Sequence, residues 1–394
     1  MTLGRTGLLT TVTETGVEPL LGLHPALLAF LPVALACGLD RLVGDPRWCL
    51  HPVVVMGWAI QHLRNQVEAL AGDRPWALRL GGGLLAGVLV GASGAAGWGI
   101  ERLALAGTGA PGGWAWAGFG LLTSGLASAL AGRSLEQAVR AVLQALPVQG
   151  EALQAGAPTP AGRSDPDLSH ARQQLAWIVG RDTDRLDRSG ILRALAETAS
   201  ENAVDGLFAP LFWMLAGAGL WALGWLGGPG PLALAWSFKA ASTLDSMLGY
   251  RSGRLRWLGT AGARLDDLLV WLPCRLVSLS LPLVQTWPPP PPRSWWRQVR
   301  HSWRDGRPDP SPNAGLSQAA YAHASGVQLG GLNHYSGIPR PKPLLAPGQR
   351  APDRATVERM LAMSQRLELL WLAASGGLVG TLASGLEIIT KTLS

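Results

Sequence analysis

The sequence predicts an all-α fold: a polytopic helical membrane protein with about 5–6 membrane-embedded helices, amphipathic helices beside them and long cytoplasmic loops. Three observations predict it. With its 51 glycines added to the residues AVILMFWYC, the chain of 394 is about 61% apolar, against roughly 45–50% in an ordinary soluble domain. Charged residues are 15%, where about 25% is usual. The apolar residues also fall into runs: 20–39, whose only ionisable residue ahead of its end is His24, then 80–100, 114–132, 207–226 and 367–386, the last with Glu368 near its start. Each run is about 18–21 residues, the length at which a helix crosses roughly 30 Å of hydrocarbon, and none shows the polar stripe of a soluble core helix.

The elements follow in order. Residues 1–19 are a mixed, flexible tail, and 20–394 are expected to form one integral membrane domain. After the first run comes a loop with Gly44-Asp45-Pro46 and His51-Pro52, a turn or capping sequence. Two Gly/Ala-rich spans follow, whose small residues let helices approach closely. Segment 133–202 is polar, with amphipathic stretches at 135–146 and 168–179 around a loop at 150–165. A span starts at Leu207, a Gly-Gly-Pro-Gly turn occupies 227–230, and a mixed helix runs over 232–247. The apolar stretch 268–287 contains Pro273 and Arg275, which mark it as re-entrant or interfacial. It ends in Pro288–Pro292, a run no helix interior holds. Segment 293–366 is basic, Trp/Pro-rich and then partly helical. The arginines of 133–193 and 293–307 place both segments on the cytoplasmic side of the cell (inner) membrane.

Other classes lose ground. The net charge of +7 and pI of about 10.0 come from arginines in loops, and no helix-turn-helix or RNA-binding signature accompanies them, so nucleic acid is not an expected partner. Cys37, Cys49 and Cys274 form neither a CxxC nor a Cys/His cluster. No GxxxxGK[ST], GxGxxG after a strand, GxSxG or HExxH occurs. The first apolar run reads as a span or signal anchor, not a cleaved peptide.

Polar residues gather in a few words at span ends. Glu197, Glu201 and Asp205 lie four apart, near one helical face, among Ser200 and Asn202. Like charges at that spacing are tolerated around a cation or when one stays protonated, although acids also suit a helix start. Lys239 and Asp245 share an otherwise apolar helix, where such groups are costly and functional or paired. Arg264-Leu265-Asp266-Asp267 offers adjacent carboxylates suited to a hard cation, or an Arg264–Asp267 surface pair. Asp309-Pro310-Ser311-Pro312-Asn313 is a rigid turn rich in acceptors and backbone donors.

The words GDPRWCLHPVVVMG (44–57), ETASENAVDGLFAPLF (197–212), KAASTLDSMLGYR (239–251), ARLDDLLVWLPCRL (263–276), SPNAGLSQAA (from 311) and LGGLNHYSG (to 337) together resemble the CobD/CbiB family of cobalamin biosynthesis membrane proteins, adenosylcobinamide-phosphate synthases. They occur in the family's order from about residue 27 to 340. Two positions depart from it: Asp309 stands where the family often has histidine, and Ser242 where asparagine is common.

The resemblance implies an ATP-dependent amide ligase. It would join adenosylcobyric acid to (R)-1-amino-2-propanol phosphate, or ethanolamine phosphate, giving adenosylcobinamide phosphate, with ATP and Mg²⁺ required. Glu197, Glu201, Asp245 and Lys239 are the expected catalytic residues. Asp45, Ser200, Asn202, Arg264, Ser311 and Asn313 are the expected substrate- and phosphate-binding residues, and Asp205, Asp266 and Asp267 the metal ligands, with Glu197 and Glu201 as alternatives for that role. The bilayer is a partner, and a homo-oligomer or docking of other corrinoid enzymes stays open. Two other readings stand beside it: a corrinoid transporter, which would show inverted repeats, and a non-catalytic inner-membrane sensor of a related branch linked to β-lactamase induction, which would have lost several acids.

Overall fold

The structure, a computed structural model, describes residues 25–45, 51–106, 114–147, 168–286 and 291–393. The predicted tail, the loop at 150–165 and Pro288–Pro290 lie outside the described residues.

In chain order the helices are α1 (Pro25–Leu42), α2 (Pro52–Ala71), α3 (Pro75–Ala106), α4 (Trp114–Ala127), α5 (Gly132–Ala145), α6 (Ser169–Ala176) and α7 (Arg188–Ala203). A π turn (Val204–Phe208) joins α7 to α8 (Ala209–Ala222). Then come α9 (Pro231–Leu248), the short α10 (Leu255–Leu258), α11 (Thr260–Ser280), α12 (Pro292–Gly306) and α13 (Ala314–Ser325). Strands β1 (Leu329–Tyr335) and β2 (Ile338–Leu345) precede α14 (Arg354–Leu393). Starts are marked as the sequence suggests: Pro52 and Pro231 sit in first turns, and Asp187 caps α7 through Gly190 N–H at 2.6 Å.

The chain is mainly helical, consistent with the all-α expectation, with one small two-stranded sheet added to it. β1 and β2 form an antiparallel hairpin in the segment read as partly helical. Ser336 (φ 52°) and Gly337 (φ 76°) are a two-residue turn with both φ positive, the geometry that matches strand twist. β2 carries Pro339, Pro341 and Pro343, which cannot donate to a ladder, so it pairs on one side only.

Among the described residues, two helices are long and apolar enough to cross a membrane: α3, and the 35-residue rod Arg188–Ala222 made of α7, the π turn and α8. The rod starts nearly twenty residues before the predicted 207–226. Pro210 explains the π turn: it has no N–H for the Gly206 carbonyl, and the wider turn relieves its ring. α4 covers only 14 residues of its predicted run, and part of the first run lies outside the described residues. The stretch 268–287, expected to be re-entrant or interfacial, is helical up to Ser280 as part of α11, which continues through Pro273, and a single tighter turn follows at Leu281–Leu283. The Leu269 carbonyl, left without its usual donor by Pro273, accepts from Trp213 Nε1 at 3.2 Å.

The chain divides into two compact units, each built from separated stretches. One comprises 1–131, 209–269 and 370–394; the other 132–208 and 270–369. In the first, α3 meets α9 at Gly94 and Gly97; a methyl at Gly97 would lie 2.9 Å from Ala233. Ile60, Leu78, Leu85, Leu89, Ala240 and Leu244 fill its core. In the second, α7 and α13 are buried along most of their length, with Ile191, Leu195, Phe208 and Tyr321 fully enclosed.

Candidate functional site

In the first unit, close backbone approach creates a carboxylate cluster. A Cβ at Gly259 would lie 1.9 Å from the Leu248 carbonyl, and one at Gly262 would lie 3.0 Å from Leu244 Cβ. Glycine at these positions lets the end of α9 press on the start of α11, and Gly249 leaves room for the Asp245 carboxylate. Asp245, Asp266 and Asp267 consequently act on one another electrostatically, and Lys239 acts on Asp266. Asp266 sits at the head of α11, ahead of its apolar part. Burial, then Asp245 and Asp267, push its carboxyl up to about 7, with Lys239 opposing. Asp266 Oδ1 is buried without a hydrogen-bond partner. Arg264 is exposed and forms no ion pair among the described residues, so the alternative reading of an Arg264–Asp267 surface pair is not met. Asp45 Oδ1 lies 3.2 Å from His51 Nε2, just ahead of α2.

In the second unit, α7 carries the other carboxylates. Glu197 is buried; Arg181 pairs with its Oε2, and Gly330 N–H donates to Oε1 at 2.8 Å. Arg181 also donates to Asn333 Oδ1 (2.8 Å), which accepts from Arg193 as well (3.2 Å), while Arg193 donates to the Gly330 and Leu332 carbonyls. Both Glu197 oxygens are therefore engaged in seating β1, the geometry of a positioning group. Ser200 Oγ donates to the Glu197 carbonyl in its own helix.

One turn on, Glu201 Oε2 accepts from Gln318 Nε2 at 2.7 Å, and faces Lys342 electrostatically. Lys342 Nζ lies 3.1 Å from Asp309 Oδ2. Burial would lower the Lys342 ammonium; Asp309 and Glu201 outweigh it and hold the group above the usual lysine range. Gln318 Oε1 and Asn333 Nδ2 are buried without partners. Asp309 also holds the following turn, accepting from Ser311 N–H, and Ser311 Oγ accepts from Ala314 N–H. Asn313 Oδ1 accepts from Arg275 at 2.6 Å. Ser311 and Asn313 thus shape the start of α13. Asn202 and Asp205 are half-buried, Asp205 in the π turn.

The structure brings Asp245, Asp266, Asp267 and Lys239 together in one unit, and Glu197 and Glu201 together in the other. Asp205 belongs to the unit of Glu197 and Glu201, and Asp266 and Asp267 to the other. Among the described residues no three His, Cys, Asp or Glu side chains converge at metal-binding distances. Sequence reading missed Arg181, Arg193, Gln318, Asn333 and Lys342. Only Lys342 had a signal: it is one of three lysines in a chain whose positive charge is otherwise arginine. Glu101 was missed too. It is fully buried and accepts from Gly230 N–H (2.9 Å), Leu232 N–H (2.6 Å) and Ala233 N–H (3.0 Å), capping α9 from a neighbouring helix.

Fold and site define a mainly helical, apolar protein with acid–amide–cation clusters built into its helices. The chain belongs to the CobD/Cbib protein family, whose model matches residues 33–364. It is 38% identical over 361 residues to the cobalamin biosynthesis protein CobD of Synechocystis sp., covering 89% of this chain and 93% of that one. It is 37% identical over 351 residues to the cobalamin biosynthesis protein CbiB of Salmonella choleraesuis (88% and 97%), and 37% identical over 338 residues to CobD of Klebsiella pneumoniae (86% and 91%). No solved structure matches.

Proposed function

We propose that this protein acts in cobalamin biosynthesis as a multi-pass membrane ligase. It would use ATP to join adenosylcobyric acid to aminopropanol phosphate, with its active site facing the cytoplasm. The observation that carries the reading is the Glu201–Gln318–Lys342–Asp309 group, a buried carboxylate and amide beside a cation, with Gln318 Oε1 still open to a donor.

The chemistry such a ligase needs is as follows. A corrinoid carboxylate oxygen attacks the γ-phosphorus of ATP, releasing ADP and forming an acyl phosphate. The amine then attacks the acyl carbon, phosphate leaves, and the ammonium proton passes to a base. Glu201 is suited to accept that proton; Asp245 is the alternative. Lys342 supplies positive charge for phosphoryl oxygens, and Gln318 Oε1 can accept from the amine or a corrin amide. Asp266 and Asp267 fit a hard cation: they are oxygen donors, and Asp266 Oδ1 is an orphaned buried acceptor. Mg²⁺ there would supply charge neutralisation for phosphoryl transfer.

Purified full-length protein in detergent, given ATP, Mg²⁺, adenosylcobyric acid and aminopropanol phosphate, should form the amide. Glu201→Gln should lower turnover about 100-fold or more with the fold intact. A folded wild-type protein that yields no amide refutes the proposal; normal turnover in Glu201→Gln refutes the assigned base.

A further inference from the structure

The second unit contains an open cleft that neither cluster uses. It has a volume of about 980 Å³, lies where α7 and α14 begin, and is lined by Arg172, Arg185, Arg188 and Arg354. Arg172, Arg185 and Arg188 form no ion pair among the described residues, while Arg354 reaches Glu358 at 3.4 Å. Two carboxylates also border the cleft, and both are committed. Asp187 caps α7, and Asp353 accepts from Thr356 N–H and Oγ1 and pairs with Arg350. Arg172 Nε donates to the Leu186 carbonyl and Arg188 to the Pro147 carbonyl, which fixes their guanidinium groups in place. Arg185 is exposed and makes no such contact. A second cavity of about 430 Å³ shares Asp187, Ser189, Ala351 and Pro352 with the first, and extends to Arg193 and the Gly330–Gly331 backbone. Gly330 N–H holds Glu197, so the combined cleft reaches the back of the α7 site.

The guanidinium groups of Arg172, Arg185 and Arg188, without carboxylate partners, line one cavity, where like charges repel and a polyanion removes that cost. A phosphate monoester would neutralise at most two of these three. We propose that this cleft binds the polyphosphate of a nucleoside triphosphate, the phosphoryl donor of the ligase reading, on which the assignment rests. The larger cavity can hold a triphosphate with its nucleoside, since small-molecule sites run to roughly 300–1,000 Å³.

The test uses full-length protein in detergent, with ATP and inorganic tripolyphosphate as separate probes. Wild-type protein should bind both, each displacing the other. Arg185→Glu should weaken both at least 10-fold, and Arg185→Lys by less than that. Arg300→Glu, an equal charge change on α12, should leave both within about 2-fold. Equal weakening by Arg185→Glu and Arg300→Glu, or no binding of either probe, overturns the assignment. Displacement of ATP by short-chain phosphatidic acid but not by tripolyphosphate also overturns it, identifying a lipid headgroup site. Retained, Arg185-dependent binding in a protein that forms no amide supports the cleft and removes the ligase reading alone.

Discussion

Replacing Glu101 tests whether a buried carboxylate holds the start of α9. The side chain is enclosed in α3, and its two oxygens satisfy the N–H groups of Gly230, Leu232 and Ala233. Pro231 has no N–H, so Glu101 serves the other donors at this helix start. Glu101→Ala orphans all three where Leu232 and Ala233 are themselves buried. Each unsatisfied buried donor costs about 1–3 kcal/mol, which sets the loss at roughly 3–9 kcal/mol. Water entering the space vacated by the side chain should hold it near the lower end, at about 3–4 kcal/mol. Glu101→Gln keeps one acceptor but turns an amide N–H₂ toward donors, and should recover less than half of the loss. The assay is denaturant unfolding in micelles followed by circular dichroism, with hydrogen exchange read at 230–233. A loss below about 1 kcal/mol for Glu101→Ala, with exchange there unchanged, would refute the reasoning.

Two further predictions concern the polar clusters. Glu197→Met leaves Arg181 buried and unpaired and should cost about 3–5 kcal/mol, whereas Arg181→Met/Glu197→Met should cost much less than the two single changes added; additive losses in unfolding measurements would show that the pair is not coupled. Asp266 has a folded-state pKa raised from 3.8 to about 7, so the stability it allows is full below about pH 4 and is lost as pH rises through 7. In chelator, Asp266→Asn should therefore raise the melting temperature relative to wild type more at pH 8 than at pH 5, and Mg²⁺ should narrow the pH 8 difference; a pH-independent difference would refute this.

The helices were legible because apolar runs declare themselves over 18 or more residues, and the words around Glu201, Asp245 and Asp266 because ionised groups are rare there. What stayed hidden was long-range. Glu101 follows an apolar run directly, and its partners lie about 130 residues away. Glu197 meets Gly330 at a separation of 133. No local periodicity encodes such pairs. The hairpin was obscured by three prolines, which read as irregular chain rather than as the unpaired edge they make. The two units were invisible because their boundaries at 269/270 and 369/370 fall inside α11 and α14, with no linker composition to mark them.

Arg181 and Asp182 are neighbours in sequence and hold neighbouring parts of the hairpin's tip half. Arg181 binds Asn333 within β1, while Asp182 takes the N–H groups of Ser336 and Gly337 at its tip and donates its own N–H to the His334 carbonyl. One dipeptide thus anchors the tip half of the strand pair through two separate side chains. This makes the chain intolerant of changes in length there. A single residue inserted between 181 and 182 would shift one anchor while leaving the other in place, pulling Gly330 from Glu197 or freeing the tip.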